Sequence, residues 1–89
     1  MIYIHAVHMS GGTQHEHIAS VRWKNPDTGK SGQSSRAEMV KWINAGNAAY
    51  ACGGGGHMAR VKVVNANPPY IRTHADGIWS DNLLALSRY

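Results

Sequence analysis

Alternation of apolar and charged side chains in two separate runs constrains this fold most. Residues 21–24 read Val-Arg-Trp-Lys and residues 60–63 read Arg-Val-Lys-Val. Because successive side chains of a strand point to opposite faces, each run predicts a β-strand with one face in the core and one basic face in solvent. A helix over the apolar faces would leave a single open basic surface. Its cations would be Arg22, Lys24, Arg60, Lys62 and Arg72.

The N-terminal segment predicts an antiparallel hairpin. Residues Ile2–Met9 have strand composition, with Ile2, Ile4 and Ala6 on one face and Tyr3, His5 and Val7 on the other. The sequence Ser-Gly-Gly-Thr at 10–13 is a turn signal, after which residues 17–24 resume the alternation. The turn-forming residues Asn25-Pro26-Asp27-Thr28-Gly29 then end the second strand.

A helix is predicted over Ser35–Ala45. Ser35 and Glu38 have the S-x-x-E spacing of a capping box, in which each side chain satisfies a free amide at the helix start. One apolar face follows from the spacing of Met39, Val40, Trp42 and Ile43. Gly46 suits the left-handed residue that ends a helix.

After the helix, the pattern predicts three more strands and a closing turn. The strands are 48–52, 58–64 and 70–73, with Pro68-Pro69 interrupting the chain before the last of them. Asp76-Gly77 is a turn signal, and Ser80 or Asp81 suits the cap of a turn at Leu83-Leu84. We therefore expect Asp81–Leu84 to be structural.

These elements predict an α+β fold of order β-β-α-β-β-β, with one helix packed on one face of a small antiparallel sheet. The chain of 89 residues is of single-domain length, so we expect one domain over residues 1–89.

The lone cysteine, Cys52, excludes an internal disulfide. No apolar run resembles a signal peptide or a membrane span, and we expect a cytoplasmic protein. A formal charge of +4 favours anionic partners.

The closing third of the chain resembles a known family. Tyr70-Ile71-Arg72-Thr73, then Asp76, then Asp81-Asn82-Leu83-Leu84 and Leu86 are similar to the closing signature of short bacterial and phage proteins that are classified only as a domain of unknown function. Ser87 stands where that signature has a proline. The resemblance implies no activity, cofactor or catalytic residue. It implies a bacterial, prophage or phage setting, in which small proteins often bind and inhibit host factors.

Two motifs suggest chemistry that the sequence does not support. Thr28-Gly29-Lys30-Ser31 matches the end of a phosphate-binding loop, but the required earlier glycine is replaced by Lys24 and the helix starts too late. We interpret it as a hairpin turn. Cys52 and His57 flank four glycines, yet no third residue to orient them follows from the sequence, and a cysteine ending an apolar strand is usually a core residue. We predict no catalytic residue.

Two candidate ligand sites stay open. His8, His15 and His17 lie in the first hairpin, and a turn centred on Gly11-Gly12 would put His8 opposite His15, a spacing compatible with metal ligation. The alternative is a solvated strand end. The glycine-rich loop 53–56 permits an anion-binding nest, with Gly54, Gly55 and His57 as its ligand-facing residues. The alternative there is a loose connection.

Three functional hypotheses follow. The first is a non-enzymatic module without cofactor that binds nucleic acid or a nucleotide through the basic face and the glycine-rich loop, with tyrosine or tryptophan side chains stacking on bases. The second is a protein-interaction module, such as a phage-type inhibitor of a host protein, with Trp79 and Tyr89 as anchors. The third is a metal protein or small enzyme that uses the histidines or Cys52. A homodimer formed through a sheet edge is compatible with each.

Overall fold

A computed structural model of the chain describes residues 1–52, 58–75, 78–80 and 82–89. The described elements are β1 (Ile2–Met9), a 3₁₀ turn (His15–His17), β2 (Ile18–Lys24), β3 (Ser31–Ser35), α1 (Arg36–Asn44), β4 (Ala49–Cys52), β5 (Met58–Val64), β6 (Tyr70–Ala75), β7 (Ile78–Ser80) and β8 (Ser87–Arg88). They form one sheet with one helix against it, which confirms the α+β class. No helix within these ranges has the length and apolar character needed to cross a membrane.

The sheet is mixed, so the expectation of a purely antiparallel sheet is wrong. Its strand order is β3-β2-β1-β4-β5-β6-β7, and β8 pairs with β1 beside β4. Sequential strands joined by hairpins are antiparallel, but β1 is parallel to both β4 and β8. The reason is that the chain passes through α1 between β3 and β4 and then returns to the free edge of β1 in the direction of β1 itself. A crossover of this kind produces parallel pairing.

Three strands were not predicted from the sequence. The residues of β3, Ser-Gly-Gln-Ser-Ser, carry no apolar pattern, whereas β7 and β8 are only three and two residues long. The turn between β2 and β3 is closed by hydrogen bonds from the Asn25 amide to the Lys30 carbonyl (2.7 Å) and from the Gly29 amide to the Asn25 carbonyl (2.9 Å). Gly29 has a φ of 75°, which glycine adopts without strain. This segment is therefore the predicted hairpin turn and not a phosphate-binding loop.

The first hairpin differs from its predicted register because β1 carries a bulge. Ile4 pairs with Trp23, but Ala6 pairs with Arg22, so His5 is the extra residue. The bulge returns Val7 to the face of Ile4, where both side chains are fully buried. The prediction that Val7 lies opposite Ile4 is therefore wrong. The second strand begins at Ile18, because residues 15–17 form the 3₁₀ turn.

The helix confirms the sequence prediction closely. The Ser35 hydroxyl accepts from the Glu38 amide (3.1 Å), and the Glu38 carboxylate accepts from the Ser35 amide (2.9 Å), which completes the capping box. These contacts hold the pKa of Glu38 below its usual value, chiefly through the hydrogen bond from the Ser35 backbone. Gly46 follows the helix with a φ of 100°, as expected for its end.

The core lies between α1 and the sheet. Met39 and Val40 of the helix are buried, and Ile43 and Trp42 are partly buried against the same cluster. Val21 and Val61 face the helix and are fully buried, with Val63 partly buried beside them, as predicted. After β7, the backbone amide of Asn82 donates to the Thr73 hydroxyl (3.2 Å), and Leu83 is fully buried. Residues 82–89 therefore close the core.

Candidate functional site

The sheet face opposite α1 carries the predicted cations. On β2, Val21 is buried under the helix, whereas Arg22 and Lys24 are exposed on the other face. On β5, Val61 is likewise buried, and Arg60 and Lys62 are exposed. The strict alternation in both strands thus places all four cations on one face of one sheet, which we call the helix-free face.

Two tyrosines lie between the two pairs of cations. Lys24 of β2 pairs with Tyr3 of β1, Tyr3 pairs with Tyr50 of β4, and Tyr50 pairs with Arg60 of β5. These four residues, Lys24, Tyr3, Tyr50 and Arg60, form a line across four adjacent strands, which we call the basic-aromatic row. Neighbouring strands are about 4.8 Å apart, so the row is about 14 Å long. The cations of β2 and β5 are therefore not neighbours but flank an aromatic centre.

The rings of the row contact one another and the arginine. Tyr3 and Tyr50 are half-buried, and their ring centroids are 6.4 Å apart at an interplanar angle of 71°, an edge-to-face arrangement. The Arg60 guanidinium carbon lies 5.7 Å from the centroid of the Tyr50 ring, within cation–π range. The contacts restrict the side chains of Tyr3, Tyr50 and Arg60 before any ligand binds.

The other cations extend the row diagonally. Arg22 lies two residues along β2 from Lys24, toward the C-terminal end of β1. Lys62 lies two residues along β5 from Arg60 in the opposite direction and pairs with Arg72 of β6. The cations therefore follow an oblique band over five strands. We call this band, formed by Arg22, Lys24, Arg60, Lys62 and Arg72, the basic diagonal.

The described strands carry positively charged side chains and no acidic ones. The acidic residues within the described ranges are Glu16 in the 3₁₀ turn, Asp27 in the β2–β3 turn and Glu38 at the start of the helix. Arg22, Lys24, Arg60 and Lys62 form no ion pair with any residue of those ranges. The described residues around Arg22, Lys24, Arg60 and Lys62 therefore give this part of the helix-free face a positive potential.

A shallow depression lies beside the basic diagonal. It has a volume of about 330 Å³, and its lining includes His5, Arg22 and Gln33. His5 is the bulged residue of β1, and its side chain is exposed. The bulge thus adds the His5 imidazole to the depression, and β3 adds the Gln33 amide opposite Arg22.

Tyr89 also lies on the helix-free face, where it contacts residues of β1 and β2. Its hydroxyl is 2.8 Å from the Ser20 hydroxyl, and its backbone amide donates to the Val7 carbonyl (3.2 Å). The Arg22 guanidinium carbon lies 4.1 Å from the centroid of its ring. The predicted protein-interaction anchor is thus held by its own sheet. The backbone of Trp79, the other predicted anchor, lies in β7, and its side chain falls outside the described part.

The three candidate metal ligands lie differently from the predicted arrangement. His8 pairs with Ser20 and not with His15, and its Nδ1 lies 2.5 Å from the backbone oxygen of Tyr89. His15 is buried in the 3₁₀ turn, and His17 Nδ1 accepts from the Gln14 amide (3.1 Å). The loop between β1 and β2 contains the 3₁₀ turn and is therefore longer than a tight Gly-Gly turn, so His15 does not lie opposite His8. Within residues 1–52, 58–75, 78–80 and 82–89 no group of three or more potential metal ligands is found.

Some predicted site residues fall outside the described part of the chain. These are Gly54, Gly55 and His57 of the proposed anion-binding loop and Asp81 of the closing motif. Cys52 ends β4 and pairs with Met58, but its side chain is likewise not described. The anion-binding role of the glycine-rich loop stays a prediction, and the described residues do not test the interpretation of Cys52 as a core residue rather than a partner of His57.

A second concave region lies on the helix side. It is a groove of about 620 Å³ along one side of α1, and its lining includes Trp23, Trp42, Met39 and Lys41. The Trp23 indole donates to the Ser34 hydroxyl (3.0 Å) and lies across Gly32, where an added Cβ would be only 2.7 Å from the ring. The groove is predominantly apolar and is separated from the basic diagonal by the thickness of the sheet.

Tyr3 and Tyr50 were not predicted as site residues from the sequence. Each does stand between two apolar residues, Ile2 and Ile4 in one strand and Ala49 and Ala51 in the other, which is a signal for the face opposite the core. Their contact depends on the parallel pairing of β1 with β4, which strand periodicity does not encode.

Comparison with known proteins identifies a family without an assigned activity. A family model described as "Protein of unknown function (DUF3892)" matches residues 3–87. No curated protein and no solved structure matches the chain. The match covers every residue of the basic-aromatic row and of the basic diagonal.

Proposed function

The chain belongs to the DUF3892 family of proteins of unknown function, and we propose that it is a non-enzymatic module that binds nucleic acid through its helix-free face. The observation that carries the proposal is the basic-aromatic row, in which Tyr3 and Tyr50 lie in direct register between Lys24 and Arg60. Phosphates neutralised by lysine and arginine supply most of the affinity of such modules, and aromatic rings supply a surface for bases.

The distribution of charge over the sheet supports the same function. Described strands carry cations and no carboxylate, so a polyanion meets no repulsive charge on them. The basic diagonal spans more than the width of one phosphate group, which favours a polymer over a single nucleotide. Arginine adds stacking and bidentate hydrogen bonding to this attraction.

The test is a titration of labelled DNA and RNA with wild-type protein and two matched double variants. Arg60→Gln/Lys62→Gln removes two cations from the helix-free face. Lys30→Gln/Lys41→Gln removes two exposed lysines from the β2–β3 turn and from α1. Both variants lose the same net charge, so a general charge effect would weaken both equally.

We expect the Arg60→Gln/Lys62→Gln variant to bind at least about tenfold more weakly at low salt and the control variant to bind nearly as well as wild type. Equal losses in the two variants, or no binding of wild type at low salt, would contradict the proposal. A mononucleotide competitor at equal phosphate concentration should displace the labelled strand poorly. Effective displacement would instead identify a nucleotide site.

A second candidate function, protein interaction, is favoured by the groove on the helix side. Trp23 and Trp42 are both half-buried and line it, and tryptophan is enriched among residues that anchor protein interfaces. In the bacterial or phage setting that the closing motif implies, such a module would act as an inhibitor of a host protein in the cytoplasm. Binding to a protein through this groove would depend weakly on salt and would survive Arg60→Gln/Lys62→Gln.

A further inference from the structure

We infer that the nucleic acid bound by the helix-free face is single-stranded, with unpaired bases stacked on Tyr3 and Tyr50. The inference rests on the proposed function and specifies the class of ligand. It follows from three properties of the face: its width, the position of its rings and the position of its cations.

The width of the face excludes reading of bases in a duplex. The basic diagonal crosses β2, β1, β4, β5 and β6, and four strand spacings of about 4.8 Å make this surface about 19 Å wide. The major groove of B-DNA is about 12 Å wide and admits a helix or a two-stranded ribbon. On the intact duplex this face would reach only the phosphates, and its two tyrosine rings would have no partner.

The rings lie where a single strand would place its bases. Tyr3 and Tyr50 occupy the middle of the row, and Lys24 and Arg60 flank them in direct register on either side. A nucleic-acid strand that runs along the row can therefore place bases over the two rings while its phosphates meet a cation at each end of the row. Every base has a π-face, so stacking of this kind tolerates different sequences.

The edge-to-face geometry limits the number of stacked bases. With the rings inclined at 71° and Arg60 against Tyr50, the two ring faces are not parallel. We therefore expect one base per ring and not a continuous stack.

The decisive probe is a pair of labelled oligomers of about ten nucleotides with identical backbones, one of thymidines and one of abasic residues. Both carry the same phosphates, but only one has bases to stack. A duplex of the same length, with the thymidine strand paired to its complement, is the third ligand. We expect wild type to bind the thymidine strand on the order of tenfold more tightly than the abasic strand and more tightly than the duplex.

The variants locate the effect. Tyr50→Leu and Tyr3→Leu should each weaken binding of the thymidine strand on the order of tenfold and leave binding of the abasic strand unchanged. Tyr50→Phe and Tyr3→Phe keep the ring and should bind like wild type. The comparison of ligands on wild type keeps the test valid even where a leucine variant fails to fold.

The outcomes separate the two proposals. Equal affinity of wild type for thymidine and abasic strands, or tighter binding of the duplex, would overturn the single-strand inference while leaving nucleic-acid binding intact. Absence of binding to all three ligands at low salt would overturn the proposed function itself.

Discussion

Tyr3 and Tyr50 are 47 positions apart in the chain but are direct neighbours on two parallel strands, with their ring centroids 6.4 Å from each other. The contact exists because the chain, after the β1–β2–β3 antiparallel segment and helix α1, returns to the open edge of β1. The same step places Arg60 next to Tyr50 and completes the basic-aromatic row. Sheet topology thus builds the candidate site from residues that no local motif connects.

Two apolar positions of α1, Met39 and Ile43, should differ in their effect on stability. Met39 is 2% exposed, whereas Ile43 is only partly buried. We expect Met39→Ala to lower the free energy of unfolding by about 2–5 kcal/mol, and Ile43→Ala to lower it by less than that range. Urea denaturation of both variants measures the difference. A larger loss at Ile43 than at Met39 would contradict the packing described for the helix.

The parts of this fold that could be predicted from the sequence are those that depend on residues close together in the chain. The helix, its capping box and Gly46 were predicted because each rests on residues at most four positions apart. The alternation alone predicted that β2 and β5 each bury an apolar face and expose a basic one. Strand β3 was missed because its Ser-Gly-Gln-Ser-Ser sequence has no apolar side, and it exists only through pairing with β2.

The candidate site likewise has a part that the sequence predicted, its cations, and a part that it did not, its tyrosines. Alternation predicted that Arg22, Lys24, Arg60 and Lys62 share the solvent side, but it could not give the two strands that separate the pairs. The parallel pairing of β1 with β4, which strand periodicity does not reveal, brings Tyr3 and Tyr50 together. The displacement of Val7 depends on the bulge at His5, and hydrophobic periodicity cannot locate an inserted residue of that kind.

Gly32 should be intolerant of a side chain because of Trp23. A Cβ at position 32 would lie 2.7 Å from the indole Cζ2. We expect Gly32→Ala to lower the free energy of unfolding by about 1–3 kcal/mol, since the ring must move away from its hydrogen bond with Ser34. In a Trp23→Leu background the same substitution should cost much less. An equal cost in both backgrounds would show that the indole is not the obstacle.

The capping box should make stability depend on pH in the acid range. The pKa of Glu38 is held below its ordinary value of 4.5, chiefly by the Ser35 backbone amide. A lowered folded-state pKa contributes stability that is complete above the unfolded-state value and is lost as the pH falls through the folded-state value. We expect the melting temperature of wild type to exceed that of Glu38→Ala at neutral pH by more than it does well below pH 4.5. A difference that does not change with pH would contradict this role of the carboxylate.

The closing motif should act through stability and not through ligand contact. Leu83 is fully buried, and the neighbouring Asn82 amide is bonded to Thr73. Leu83→Ala should lower the free energy of unfolding by about 2–5 kcal/mol. At a temperature where the variant remains folded, its affinity for a labelled single strand should equal that of wild type. A selective loss of affinity with unchanged stability would make this motif part of the site.

The salt dependence of wild-type binding to a labelled single strand tests the central claim most directly. A single strand that contacts four or five cations of the basic diagonal should give a plot of log affinity against log salt with a slope of about −3, from about −0.7 per phosphate neutralised. Fluorescence anisotropy between about 50 mM and 200 mM salt measures it. A slope near −3 that flattens by about 1.4 in Arg60→Gln/Lys62→Gln is the result we predict. A slope near zero, or no binding at the lowest salt, would contradict the assignment of the helix-free face as a nucleic-acid interface.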